Sequence, residues 1–467
     1  MNLTNLLDFS NSIYDFNKKI NSVGRKNLGA DTKPVTAIKM LMCGIFTKAK
    51  SINQIENAIF NSSTNRFKNI FTKREFIPKM HAFRDCINDI DYKDISQIHY
   101  DIIDKIKENK FFENHDYRGS RVMIGDGVEA FETHKKIDGL HLRKHKDGSE
   151  GHYFKMLGLM YLTEDVDIMI DMVPFESHEV KDDKEKNEKV KAEGEITVLK
   201  RMLPTFKNYK IDIAVLDCMF LNAPCFTVAK DNGIDVIVKL TDARRELYKD
   251  ASRLFETQKT KLEYEIVEVS ETKKIKYSKS SKKANTSETE TYIITRKITN
   301  NEINKSVIVE EKETVHPKKT VYVKVVHKVI RRAKVWADNF EMTNYGLVKV
   351  IKVEEESSKG TKEMYIVTTL LNEDLEFIID LMHRRWDIEL KGFRKLKSRY
   401  NIDHLYIGTD NAIRLIIYLT MIIYNLVELY FNIHTRRYKN KINFDNLLED
   451  YKIEVAITPS MYQYFLV

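Results

Sequence analysis

Five short apolar runs with strand character lie between residues 120 and 245 of this 467-residue chain, and they set its fold class. They occupy 121–126, 153–161, 166–173, 211–217 and 234–240. A helical stripe of Ile196, Leu199 and Leu203 separates the third run from the fourth, and a short helical segment at 223–232 separates the fourth from the fifth. Three strands in a row, then strands alternating with helices, predict an α/β layer with a mixed sheet.

On either side the pattern changes. Residues 1–115 read as helical, through Leu3, Leu6 and Leu7, then Ile52, Ile55, Ile59 and Phe60, then Ile87, Ile90, Ile95 and Ile98. Lys18, Lys19, Arg25, Lys26, Arg66, Lys68, Lys73 and Arg74 are scattered among them. They fit a DNA-binding helical domain and ordinary solvated faces equally well. From 246 to 370 strand-like runs recur at 264–269, 291–295, 307–309, 320–325, 347–351 and 364–368, with polar loops between them. This reads as an antiparallel β-rich domain inserted into the α/β one. Helical periodicity returns for 371–435, and 436–467 form a C-terminal tail. The intervening α/β block is 116–245.

Composition narrows the class further. Hydrophobic residues are 42% and charged residues 31%, a soluble globular balance. With 77 basic and 69 acidic residues the net charge is +8, a sign that suits a polyanionic partner. Four cysteines, none in a CxxC pair, predict a reduced cytoplasmic protein without a structural zinc. The N-terminus lacks the basic start and apolar core of a secretory signal. The most apolar run, 415–427, falls short of the ~20 residues of a membrane span and reads as a buried helix.

Three carboxylates stand out. Asp126 closes the first apolar run, just before Gly127, and Asp217 closes the fourth, sharing strand parity with Ile211, Ile213 and Val215. In the helix after the β-rich stretch, Met382, Trp386, Phe393 and Leu396 mark an apolar seam whose vacant position is Glu389. A carboxylate in such a seam needs a cation, and Arg385 lies one turn earlier. Taken singly, each has a plain explanation: a helix-surface ion pair and two strand ends. Taken together they suggest converging hard oxygen ligands, suited to Mg²⁺ or Mn²⁺ and to phosphoryl transfer. The chain has no GxxxxGK[ST], GxGxxG, GxSxG or HExxH to compete with them.

The segment from Arg384 to Leu405, with Arg385, Trp386, Ile388 and Glu389 at its start, resembles the final-glutamate signature of the DDE transposases of bacterial insertion sequences. It is most similar to the branch with Tyr, Arg, Glu and Lys along one helix. Asp217, Cys218 and the residues through Pro224 are similar to the segment carrying that family's second Asp, and Val122 through Gly127 to the segment carrying the first. The resemblance covers about 120–435. It implies an RNase H-like mixed sheet with Asp126, Asp217 and Glu389 as catalytic metal ligands, interrupted by a β-rich domain and preceded by the helical N-terminal domain. It implies Mg²⁺, replaceable by Mn²⁺, and double-stranded DNA as partner at element ends and target, in the nucleoid. It also implies a homodimer in a synaptic complex. Two positions depart from the pattern: Met382 stands where the family has Tyr, and Leu396 where it has Lys. Lys397 takes the DNA-contacting role instead, beside Arg385 and Trp386.

The expected activity is cleavage and strand transfer at the ends of an insertion sequence. Two other readings stand beside it: a catalytically inactive DNA-binding derivative, and a metal-dependent nuclease that does not join strands. Trp386 is a base-stacking candidate or a core residue. His134, His141, His145 and His152 read as a solvated hairpin rather than a metal site, and Glu193 and Glu195 as helix-start residues. Lys273, Lys274, Lys276, Lys279, Lys282 and Lys283 form a basic strip, either a phosphate contact or a plain loop.

Overall fold

A computed structural model describes residues 3–27, 31–46, 48–55, 78–163, 166–181, 188–276, 291–300, 305–314, 321–357 and 360–435. Arg66, Lys68, Lys73, Arg74, Ile59, Phe60, Lys279, Lys282, Lys283 and the tail from 436 lie outside the described residues. The chain divides into two compact units. The first holds Met1–Lys239, Glu341–Val348 and Val367–Val467; the second holds Leu240–Phe340 and Lys349–Ile366.

The first unit begins with helices α1 (Leu3–Tyr14), α2 (Phe16–Asn21), α3 (Pro34–Phe46), α4 (Met80–Asp89), α5 (Tyr92–Glu108) and the short α6 (Phe111–Asn114). Asp91 starts α5 by accepting the Lys93 N–H at 3.0 Å. Ile95, Ile98, Ile102 and Ile106 then bury one face, at the three- and four-residue spacing of a helix stripe. Two of the scattered cations hold this bundle together: Lys19 pairs with Asp101, and Arg25 with Asp89 at 2.9 Å.

The sheet follows, with β1 (Val122–Thr133), β2 (His141–Lys144), β3 (Glu150–Leu162), β4 (Ile168–Pro174), the separate hairpin β5 (Ser177–Lys181) and β6 (Glu188–Ala192), helix α7 (Glu195–Phe206), β7 (Ile213–Leu216), α8 (Ala223–Asp231) and β8 (Asp235–Leu240). β3 runs antiparallel to β1 and β4; β7 lies parallel to β1, and β8 parallel to β7. The order β4-β3-β1-β7-β8 is the mixed sheet expected of an RNase H-like core. All seven residues of β4 and all four of β7 are buried, as strands covered on both faces must be.

Several local readings change. β1 does not end at Asp126 but continues to Thr133, because β3 is long enough to keep pairing with it, Glu129 with Lys155 and Thr133 with His152. A strand, β2, interrupts the histidine-rich loop, and His141 on it is buried against Tyr153 and Phe175. The polar stretch after 176 holds the β5–β6 hairpin, whose only aliphatic residues besides Ala192 are Val180 and Val190, too few for an alternating signal. Glu193 does not start a helix; its carboxylate accepts the Glu176 N–H and an Arg201 N–H at the base of that hairpin.

In the second unit, helix α9 (Glu246–Thr257) precedes β9 (Leu262–Lys276), where a purely β-rich segment is expected. The strands β10 (Thr291–Asn300) and β11 (Lys305–Thr314) pair antiparallel as a ribbon. β12 (Val321–Met342) pairs antiparallel with β9, and β13 (Gly346–Ser357) and β14 (Gly360–Thr368) extend that side in the order β14-β13-β12-β9. Ala251 and Phe255 of α9 are buried, as are Val335, Val350 and Val353 of the strands.

The chain then returns to the first unit with α10 (Leu375–Arg384), a π-helical turn (Ile388–Phe393), α11 (Arg394–Tyr400) and α12 (Asp410–Thr435). By length and composition α12 could cross a membrane, but its apolar window is wholly buried in the protein, as the apolar run at 415–427 suggests. It packs on α1, α3, α5 and β4. Its buried Asn425 makes both bonds of a strand partner to Met169 of β4, accepting its N–H at 2.9 Å and donating to its carbonyl at 2.8 Å.

The π-turn is fixed by a close approach to the sheet. Gly158 of β3 lies opposite Asp126, and the Phe393 ring fills the space a side chain would need there: a Cβ at 158 would come within 2.6 Å of Phe393 Cζ. Gly392 likewise leaves room for the Met160 and Met169 sulfurs, which a Cβ would meet at 3.4 and 3.2 Å.

Two outcomes follow for stability, both read by urea denaturation. Asn425→Leu leaves two buried backbone groups of Met169 without partners and costs about 2–6 kcal/mol, at roughly 1–3 kcal/mol for each. Gly158→Ala overpacks the Phe393 contact and costs about 1–3 kcal/mol, part of which Phe393→Leu restores in the same background. A neutral Gly158→Ala would mean that the π-turn is not held by this contact.

Candidate active site

The two aspartates meet through strand register. In the parallel pair β1·β7 the last partners are Gly125 and Leu216, so Asp126 and Asp217 are the next residues on neighbouring strands. Asp126 stays in β1, whereas Asp217 leaves β7 with extended geometry and starts a 3₁₀ turn at Cys218–Phe220 without capping it. Gly125 shares this crowded spot: a Cβ there would meet the Leu216 side chain at 2.8 Å and that of Leu159 at 3.1 Å.

Glu389 arrives from the π-turn. There the Arg394 N–H bonds to the Glu389 carbonyl, five residues back, and the turn is one residue wider than an α-turn. The three carboxylates converge on one guanidinium. Arg385 Nη1 lies 2.9 Å from Asp126 Oδ2 and 3.7 Å from Asp217 Oδ1, and Nη2 lies 3.8 Å from Glu389 Oε1. The Arg385 side chain is 5% exposed, against 17% for Asp126, 29% for Asp217 and 39% for Glu389. The basic group is thus the innermost one, and the carboxylates face outward around it.

Burial pushes the Asp126 carboxyl up to about 6. Arg385 and the Gly127 N–H, which donates to Asp126 Oδ1 at 2.8 Å, pull it down, while the charges of Asp217 and Glu389 raise it.

Trp386 is not a seam residue. Its side chain is half exposed, because the inward position of that turn belongs to Arg385, and the buried line runs Met382, Arg385, Ile388, Phe393, Leu396. The Arg385 guanidinium carbon lies 4.5 Å from the centre of the Trp386 ring, so the indole roofs the cation. Lys397 is half-buried on α11 and stands outside the cluster. Its neighbour Lys395 is committed elsewhere, pairing with Glu428 of α12 at 2.9 Å and lying 4.0 Å from Asp167.

Of the two adjacent arginines, the four-residue spacing to Glu389 singles out Arg385, and Arg385 is the one that faces the site. Arg384 turns the other way, over the Tyr117 ring at 5.2 Å, and donates to the Thr163 carbonyl at 3.2 Å. It anchors the end of α10 from behind.

As placed, no group of three or more Asp, Glu, His or Cys among the described residues is set to hold a metal ion, the four histidines included. The donor chemistry nonetheless fits one. Three carboxylates supply hard oxygen donors, and the single guanidinium between them leaves the cluster two formal charges short of neutral.

No curated protein matches the chain. Among solved structures, a piggyBac transposase synaptic complex with hairpin DNA aligns over 99% of this chain and 81% of that one, at 9% identity and a TM-score of 0.41. The transposase DDE domain family matches residues 190–426, just over half of the chain. The match contains Asp217, Arg385 and Glu389 and begins beyond Asp126, which geometry adds to the same site. The chain belongs to the transposase DDE domain family.

Proposed function

We propose that the protein cuts and rejoins DNA at the ends of its own mobile element. The observation that carries this reading is the convergence of Asp126, Asp217 and Glu389 on one guanidinium, on a sheet and helix of a chain from the transposase DDE domain family. Asp126, Asp217 and Glu389 are the residues to hold Mg²⁺, with Mn²⁺ as substitute. When bound, such ions neutralise phosphate charge and lower the pKa of an attacking water.

The protein's own groups do the remaining work. Asp126 and Asp217 sit on adjacent rigid strands, so their separation is set by sheet register. Glu389 closes the cluster from the helical side. Arg385 offers donors to a phosphate oxygen, and Lys397 supplies a point charge further along the strand. The exposed face of Trp386 gives a base a surface on which to stack. Water attack at the element end breaks the P–O3′ bond, and the freed 3′-hydroxyl then attacks a second phosphodiester in line. Two ends must each meet a positioned site, which favours a homodimer with both ends bound. The same reading takes the protein to be cytoplasmic, on the nucleoid.

The test uses the full chain, Mg²⁺ and a duplex bearing the element end. Wild type nicks at the end and joins strands; Glu389→Gln binds the same duplex and loses roughly 10²–10³-fold in rate, on the scale of a missing charge-stabilising group. Equal binding without cutting under Mg²⁺ or Mn²⁺ would overturn the catalytic reading, and cutting without joining would make the protein a nuclease. Lys397→Ala weakens binding for all sequences alike and lowers the salt slope by about one phosphate contact, measured by fluorescence anisotropy from low to moderate salt.

A further inference from the structure

Arg385 is held in this site by charge more than by hydrogen-bond geometry. Of its three carboxylate neighbours only Asp126 is at hydrogen-bond distance; Asp217 and Glu389, at 3.7 and 3.8 Å, are close enough to feel the cation and too far to be bonded by it. Divalent ions take carboxylate oxygens at about 2.0–2.6 Å. The carboxylates are therefore spread around a larger cation than a metal, and that cation is the most buried charged group of the site. A guanidinium suits such a place: it stays charged and carries donors on several edges. The half-exposed indole, its centre 4.5 Å from the guanidinium carbon, covers it with a side chain that also faces solvent.

We propose that Arg385 is a stand-in cation: it keeps Asp126, Asp217 and Glu389 gathered before metal enters, then yields the position and turns its guanidinium to a phosphate of the DNA. This inference rests on the function proposed above. Without Arg385, three like charges would share a partly buried pocket and repel one another. With it, an entering metal meets a competitor. A DNA phosphate offers the guanidinium another partner, so DNA and metal tighten each other's binding, and the coupling is the same in both directions.

The experiment measures Mn²⁺ binding to the full chain by calorimetry, with and without duplex DNA, for wild type, Arg385→Gln, Arg385→Lys and Asp126→Asn. A metal-free thermal melt is recorded for each. Arg385→Gln is expected to bind Mn²⁺ about tenfold tighter than wild type without DNA, within the usual range of such couplings. It also melts lower without metal and recovers when Mn²⁺ is added, and DNA no longer tightens its metal binding. Arg385→Lys, which keeps a charge in place, binds Mn²⁺ close to wild type and decides the matter if Arg385→Gln does not fold. Mn²⁺ binding that needs Asp126 but is unchanged or weaker in Arg385→Gln would overturn the stand-in role and leave the metal site intact. Binding that is absent, or indifferent to Asp126→Asn, would overturn both.

Discussion

Three carboxylates do not stay charged together in a partly buried pocket unless a cation lies among them, and in this protein that cation is Arg385. The rest of the site is arranged to let the meeting happen. Parallel pairing of β1 with β7 delivers two aspartates side by side from positions far apart in the chain. The π-turn then delivers the glutamate and the arginine together, four residues apart on one stretch of helix. Each carboxylate comes from a different segment, so the site exists only when the sheet and the returning helix are both folded.

The returning helix is held from two sides. Toward the sheet, the Phe393 ring sits where Gly158 of β3 leaves space, and Gly158 is the register partner of Asp126 on β1. Away from it, Lys395 pairs with Glu428 of the buried α12, and Lys391 with Asp387 at 3.0 Å, both beside the buried Asp167. These polar groups lie within an otherwise apolar packing and are paired, as buried charges must be. α12 thus supplies both the core of the first unit and the back wall of the signature helix. Clamping of this kind keeps Glu389 within reach of two rigid strands, the positioning that the proposed phosphoryl transfer depends on.

Much of this could be read in the residues. The five runs between 120 and 245 correspond to β1, β3, β4, β7 and β8, since apolar runs between polar breaks carry a strong strand signal. Asp126, Asp217, Glu389 and Arg385 could be singled out, and the structure brings all four together. What could not be read depends on contacts between distant segments. β1 runs on past Asp126 only because β3 pairs with it there. Strands β5 and β6 have almost no apolar alternation to show. Trp386 looks like a seam residue on an ideal helix, but the carboxylates draw Arg385 inward and leave the indole half exposed. The π-turn has no marker in sequence beyond Gly392 and Phe393, whose meaning appears only against Gly158.

Anomalous X-ray diffraction from crystals of the protein grown with Mn²⁺ and duplex DNA bearing the element end tests the central claim most directly. The account predicts Mn²⁺ density bounded by Asp126, Asp217 and Glu389, with the guanidinium of Arg385 turned from the carboxylates to a DNA phosphate. Saturating Mn²⁺ with no density there, or density held by other residues while Arg385 keeps all three carboxylates, would contradict it.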